Sequence, residues 1–342
     1  MTLPATGSLS FSQVNTELQK ASNATISLND SAVRNMAGKT SGAISFADLR
    51  GKAGTVNLSY AISANAANVT LNVASIAGYG AGRSNITITI NSGVYVYSTS
   101  TGSAALSITG ASSGDKITLV NNGYILGCGG QGGFYNSSFV VQSPGSGGPA
   151  LSTTYPLTIQ NNGYIAGGGG GGGCGNANNA GAGGGGAGGG AGGGNMATAS
   201  GGAGGGPGAT GGTIAYTQYG GVGGGGGRIC PGTGGAATYC DGSSPGYMTG
   251  NGGGSGGSGG TSYLFSGVYG GGGGGWGASG GAGGSAASGA SGYSGAGGSA
   301  SAAGGNGSGT LYQGGAGGGK AVAANGNALT WTTTGAIYGA IS

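Results

Sequence analysis

The chain has 342 residues, of which 98 are glycine, with 9 basic and 5 acidic residues, a net charge of +4 and no histidine. So few charges exclude a nucleic-acid-binding surface, which needs clustered Lys and Arg against phosphates. The absence of histidine removes the commonest general base and metal ligand, so no catalytic residue, metal site or cofactor is expected.

Residues 1–160 hold 21 of the glycines, residues 161–320 hold 74 and residues 321–342 hold 3. The middle block therefore has too few side chains for an ordinary hydrophobic core. Eight of the charged residues lie within the first 52, and beyond residue 117 only Arg228, Asp241 and Lys320 remain. Asp115 and Asp241 are isolated in sequence, so a carboxylate pair for glycan cleavage would have to be made from those two or from acids of the N-terminal region. No run of 18 apolar residues predicts a membrane span, and no basic start followed by an apolar stretch predicts a secretory signal. Cys128, Cys174, Cys230 and Cys240 match no zinc spacing. Cys230 and Cys240 flank a loop and are candidates either for a disulfide or for free thiols packed as small apolar groups.

The first 53 residues repeat one pattern. Leu9-Ser10 precedes Val14, Leu28-Asn29 precedes Val33, and Ile44-Ser45 precedes Leu49. An apolar residue, a polar N-cap and a second apolar residue five positions after the first form a hydrophobic staple. Three helices are predicted near 11–20, 30–37 and 46–50, with Gly38 and Gly51 as C-terminal stops. Helices this short bury little surface alone. Segment 1–53 is therefore read as an attachment unit that docks on another copy or a larger partner, the alternative being a flexible leader, with Leu9, Val14, Leu28, Val33, Ile44 and Leu49 as its apolar residues.

From Thr55 the pattern alternates with period two, which predicts a β-rich platform over 54–116, a sandwich or a stacked prism. Asn91-Ser92-Gly93, between Ile86–Ile90 and Val94–Tyr97, predicts a hairpin. Ile117-Thr-Leu-Val-Asn-Asn-Gly-Tyr-Ile125 recurs as Leu157-Thr-Ile-Gln-Asn-Asn-Gly-Tyr-Ile165. A degenerate copy, Leu329-Thr-Trp-Thr-Thr-Thr-Gly-Ala-Ile337, follows the glycine block. The first two copies are offset by a constant 40 positions, with Tyr124 matching Tyr164, which predicts stacked rungs.

The glycine block is not collagen, since its glycines run continuously instead of every third residue. A bundle of extended three-residue helices fits better. Without Cβ atoms, backbones approach closely and each N–H and C=O pairs with a neighbour. Interior helices are then nearly pure glycine, with Ala187, Ala191, Ala282 and Ser285 marking outward faces. Ordering glycine costs more entropy than any other residue, so such a bundle forms cooperatively or not at all. Between the glycine runs lie segments rich in Tyr, Ser and Asn, the composition of adaptable recognition loops. Their aromatic residues Tyr216, Tyr219, Tyr239, Tyr247, Tyr263, Phe265, Tyr269 and Tyr293 are either the candidate recognition set or rings that cover the bundle's ends and flanks.

The stretch Leu157–Gly173, a strand running into glycine, and the earlier Gly123–Gly133 resemble the tail-fibre tip adhesins of T-even-type bacteriophages. Segment 1–53 instead resembles a leader found on other phage virion proteins. The resemblance implies a sandwich of polyglycine-II helices over 117–342, closed by the strand at 329–342. It also implies loops that bind a bacterial outer-membrane protein or surface glycan. The whole is then expected to be mainly β with a polyglycine-II bundle and a short α-helical attachment segment. The expected function is a virion receptor-binding protein, joined to other phage structural proteins through residues 1–53, as a single copy or a homo-oligomer. The alternatives are a non-adhesive capsid or tail decoration protein, and a glycan-binding bacterial surface protein, which would call for an export signal.

Overall fold

A computed structural model describes residues 2–18, 20–39, 41–135, 141–173, 306 and 313–342, and between 174 and 312 the backbone of short paired segments. Three helices open the chain: α1 (Phe11–Glu17), α2 (Ser31–Ala37) and α3 (Phe46–Leu49). Ser10 and Gln13 form a reciprocal capping box on α1, and Ser45 and Asp48 form one on α3. Gly38 closes α2 in the left-handed conformation, φ 74°.

Two details differ from the sequence reading. The N-cap of α2 is Asp30, one residue past Asn29, because a tight turn from Ser27 to Asp30 precedes the helix. Helix α1 stops at Glu17, short of residue 20. There the Lys20 N–H returns to the Asn15 carbonyl, and the buried Asn15 amide donates to the Ser22 and Ala24 carbonyls.

Val14, Val33 and Leu49 are buried together with Leu3, and Leu9, Leu28 and Ile44 pack against them. The staple residues thus close a small core of their own. The chain start is tied to its end, as Leu3 N–H donates to the Lys52 carbonyl at 2.8 Å.

From Val56 the strands follow one another as β1 (Val56–Ile62), β2 (Ala66–Ala67), β3 (Val69–Asn72), β4 (Ser84–Ile90), β5 (Tyr95–Tyr97) and β6 (Leu106–Thr109). They continue as β7 (Lys116–Asn121), β8 (Tyr124–Leu126), β9 (Phe134–Tyr135), β10 (Val141–Gln142), β11 (Leu151–Thr153) and β12 (Leu157–Ala166). Within the glycine block lie β13 (Ala180–Gly181), β14 (Ala237–Cys240), β15 (Pro245–Met248), β16 (Thr261–Ser262), β17 (Val268–Tyr269), β18 (Gly284–Ser285), β19 (Gly292–Tyr293) and β20 (Thr310–Leu311). The last two are β21 (Val322–Ala323) and β22 (Leu329–Tyr338).

Pairing turns this list into a solenoid. β1, β4, β7, β12 and β22 pair in sequence, all parallel, so that Leu58, Ile86, Ile117, Leu157 and Leu329 form one column. A second leg stacks β2, β5 and β8 on the C-terminal half of β12. A third leg stacks β3, β6, β11 and β21, again parallel. Each pass of the chain lays one strand on each leg before climbing to the next rung. This is the stacked arrangement, in place of the antiparallel strands of a sandwich.

Inward residues of the rungs make one core, including Ile86, Ile88, Ile90, Leu106, Ile108, Ile117, Leu119, Leu151, Ile159 and Val322. The fold also replaces the expected hairpin. Val94 N–H closes a turn onto the Asn91 carbonyl, and Gly93 takes φ +76°. β4 and β5 do not pair with each other, because β4 is already held between β1 and β7. β7 spans the expected end of the platform, at residue 116, and pairs on both edges, so one sheet takes in strands from both sides of it.

Candidate functional site: the glycine corner and its aromatic segments

One corner of the solenoid, between the second and third legs, grows rung by rung. On the first rung it is residue 68 alone, and on the second it is 98–105. On the third rung it becomes 127–150, and on the fourth 167–321, which contains the glycine block. Both glycine-rich excursions therefore leave and rejoin at the same corner, one rung apart.

The repeated Asn-Asn-Gly-Tyr motif builds the approach to that corner. Asn121 and Asn161 are buried on successive rungs, and the Asn121 amide donates to the Asn161 side-chain oxygen at 2.7 Å. The Asn161 amide in turn donates to the Ala336 carbonyl at 3.2 Å. This ladder satisfies polar groups where the chain bends inside the core. The glycine after it leaves room for the next rung, since a Cβ on Gly163 would overlap the Gly123 carbonyl oxygen.

The tyrosine that follows stacks on its counterparts. Ring centroids of Tyr95 and Tyr124 lie 4.4 Å apart, those of Tyr124 and Tyr164 5.0 Å, and those of Tyr164 and Tyr338 6.4 Å. The sequence pairs Tyr124 with Tyr164. Tyr95 and Tyr338 escape it because their motif copies are degenerate, although Val94-Tyr-Val-Tyr97 carried the signal.

Beyond the tyrosines the glycine segments bond with a period of three. The N–H groups of Gly127, Gly130 and Gly133 donate to the carbonyls of Ala166, Gly169 and Gly172, each at 2.8 Å. Gly168 and Gly171 donate to Gly148 and Gly145, both at 3.0 Å, while Gly148 and Gly145 donate to Cys128 and Gln131, both at 2.7 Å. From the far end of the block, Gly319 and Ala316 donate to Gly168 and Gly171 at 2.7 and 2.8 Å. Four segments thus pair backbone to backbone. A Cβ on Gly168 or Gly171 would overlap the Cys128 or Gln131 carbonyl, whereas one on Gly314 or Gly317 meets nothing. Glycine is required on the inward positions alone.

The candidate receptor-binding residues divide. Tyr239 lies on β14 and Tyr247 on β15, which pair antiparallel, and Tyr293 lies on β19 of the same four-stranded sheet. Tyr269 lies on β17, in a second sheet with β13, β18 and β20. Tyr216, Tyr219, Tyr263 and Phe265 lie outside the described residues. So do Cys230, the proposed disulfide partner of Cys240, and Ala187, Ala191 and Ala282. Gly284–Ser285 is β18, paired with β17 and β20.

Asp115, one of the isolated acids, serves the fold. Its carboxylate accepts from Tyr79 Oη at 2.7 Å and from the N–H groups of Ser112 and Ser84 at 2.7 and 2.9 Å. Burial raises its pKa, but the hydrogen bonds from Tyr79, Ser112, Ser84 and Gly82 outweigh burial and hold it below the usual carboxylate range.

The solenoid therefore carries two glycine-rich excursions at one corner, and the longer one contains the aromatic segments. The chain matches the model of the family "Phage tail fibre adhesin Gp38" over residues 55–283, and it belongs to that family. It is accordingly a receptor-binding adhesin and part of the virion, which decides against a non-adhesive decoration protein. Among solved structures it is similar to the gp37-gp38 adhesin tip complex of the bacteriophage S16 long tail fiber. The identity is 18% and the TM-score 0.39, over 91% of this chain and 92% of that one. No curated protein sequence matches it.

Proposed function

We propose that the adhesin holds its receptor-binding segments on a bundle of polyglycine-II helices that grows from the solenoid corner. The aromatic segments between those helices contact a bacterial outer-membrane protein or a surface glycan. The observation that carries this reading is the three-residue recurrence of backbone hydrogen bonds among 127–133, 145–148, 167–173 and 314–320. Three residues per turn is the period of an extended helix of the polyproline-II type. With one N–H in three accounted for by each neighbour, several neighbours satisfy the whole backbone.

Residues 1–53 are the proposed attachment to other tail-fibre or virion proteins, as one copy or as a homo-oligomer. Their staple residues fill their own core, so the docking face is what that core leaves outside. Phe11, 39% exposed and in edge contact with Phe46 at 4.9 Å, belongs to that face. The protein acts by binding and not by catalysis. Membership in an adhesin family and the structural use of Asp115 support this.

The test is a pull-down of host outer-membrane extract with the purified chain. Retention of one abundant membrane protein is expected. Retention of protein-free lipopolysaccharide alone would assign the glycan instead. Retention of neither contradicts the reading.

A further inference from the structure

A groove of about 350 Å³ lies on the third leg, at the foot of the glycine corner, and every residue that lines it is uncharged. Thr70, Ser107 and Ser152 occupy neighbouring strands in register, on β3, β6 and β11, and all three line the groove. Ser103 stands on its wall. The hydroxyls of Thr70, Ser103 and Ser107 make no hydrogen bond among the described residues. Ser152 Oγ accepts from the Asn325 amide at 3.2 Å, which leaves its own proton to donate.

The wall is fixed in advance. Asn68 takes a left-handed backbone, φ 51°, and its side-chain oxygen accepts from the Thr99 N–H at 3.0 Å while its amide donates to Thr99 Oγ1 at 2.6 Å. Ser98 Oγ, on a residue 2% exposed, lies 3.2 Å from Asn68 Oδ1 and 2.7 and 2.8 Å from the Ser100 and Ser103 carbonyls, and its single proton serves one of the three. Asparagine adopts this conformation readily, and these contacts fix the loop that walls the groove.

We propose that this groove binds a neutral pyranose sugar. Adjacent strands lie about 4.8 Å apart, so the Thr70–Ser107–Ser152 row presents hydroxyls at that interval. Equatorial hydroxyls on alternate carbons of a pyranose ring have nearly the same separation. Hydroxyls both donate and accept, which suits a polyol of either orientation, and the lack of charge disfavours anionic ligands. Pro149 adds an apolar edge for the ring's C–H groups. An open groove without an aromatic platform binds weakly, in the millimolar range.

This site stands apart from the aromatic segments. Variants of the groove leave those segments untouched, so the two readings fail separately. The test is saturation-transfer NMR on the full chain with methyl glucoside, methyl galactoside and, as an acyclic polyol of similar hydroxyl content, sorbitol. Transfer to at least one pyranoside and none to sorbitol is expected. It should fall at least about fivefold in the double variant Thr70→Val with Ser107→Ala, which keeps the groove's shape but loses two donors. It should also vanish in Ser107→Phe, which fills the groove. If Ser107→Phe fails to fold, the double variant decides. No transfer to either pyranoside, equal transfer to sorbitol, or undiminished transfer in the double variant would overturn the proposal.

Discussion

Arg83 Nη1 lies 2.8 Å from Glu17 Oε1, and that pair joins the helical unit to the solenoid. The Glu17 side chain is only 3% exposed, and the same carboxylate accepts from the Gly54 N–H at 3.2 Å. Arg83 also donates to the Gly54 carbonyl at 3.1 Å. The two hydrophobic cores are separate, so this pair is a buried polar link between the helical unit and the solenoid. Arg83→Ala removes the cationic partner of a buried carboxylate and is expected to cost about 3 kcal/mol. Urea unfolding followed by far-UV circular dichroism measures it. A change below about 0.5 kcal/mol would show the pair to be a surface contact of little worth.

The asparagine ladder makes a second prediction. Asn161→Ala strips the Asn121 amide of a buried acceptor and removes a side-chain donor from the Ala336 carbonyl. A loss of about 2–3 kcal/mol is expected, from two buried polar groups left short of partners. Exposed Asn162 bonds Asn122 at 2.8 Å on the same rungs, and Asn162→Ala should cost under about 1 kcal/mol. Equal losses at the two positions would contradict the ladder.

Glycine tolerance should follow position and not composition. Gly168→Ala and Gly171→Ala put a methyl group into a neighbouring backbone, while Gly314→Ala and Gly317→Ala meet open space. The first pair should abolish cooperative melting of the glycine segments. The second should leave it unchanged or slightly raise it, because alanine restricts the unfolded chain. Calorimetry of the four variants separates the outcomes, and uniform tolerance would exclude close backbone packing.

Acid should act on the helical unit late. A hydrogen bond from Lys39, helped by the backbone and side chain of Ser45, lowers Asp48 from 3.8 to about 2. A carboxylate with a depressed folded pKa stabilises fully above its unfolded value and loses that contribution as pH falls through the folded one. The capping box of α3 should therefore hold down to pH 3.8 and weaken from there to about pH 2. The carboxyl carbon shift of Asp48 should titrate near 2, and a midpoint near 3.8 would show the Lys39 contact to be absent in solution.

Local signals were legible in the sequence. The three staples locate the helix starts, because capping is settled locally, but a docking role for their apolar residues does not follow from it, since those residues fill the helical unit's own core. The 40-residue offset of the Asn-Asn-Gly-Tyr motif named two stacked rungs. The hairpin at Asn91–Gly93 misled, because the same turn residues serve an antiparallel return or a solenoid corner. What decides is the partner of β4, and β1 and β7 lie in other parts of the chain. The nesting of both glycine excursions at one corner was invisible for the same reason. It rests on pairs such as Leu157 with Leu329 and Leu151 with Val322. Of the candidate site, the sequence offers the aromatic segments as candidates, and backbone pairing gathers Tyr239, Tyr247 and Tyr293 into one sheet.

The most direct test of the adhesive tip replaces residues 229–250, which hold Tyr239 and Tyr247, with a glycine-serine spacer of equal length in the intact phage. Particles should assemble with the adhesin in place and lose adsorption to host cells. Unchanged adsorption by such particles would contradict the assignment of receptor binding to this segment.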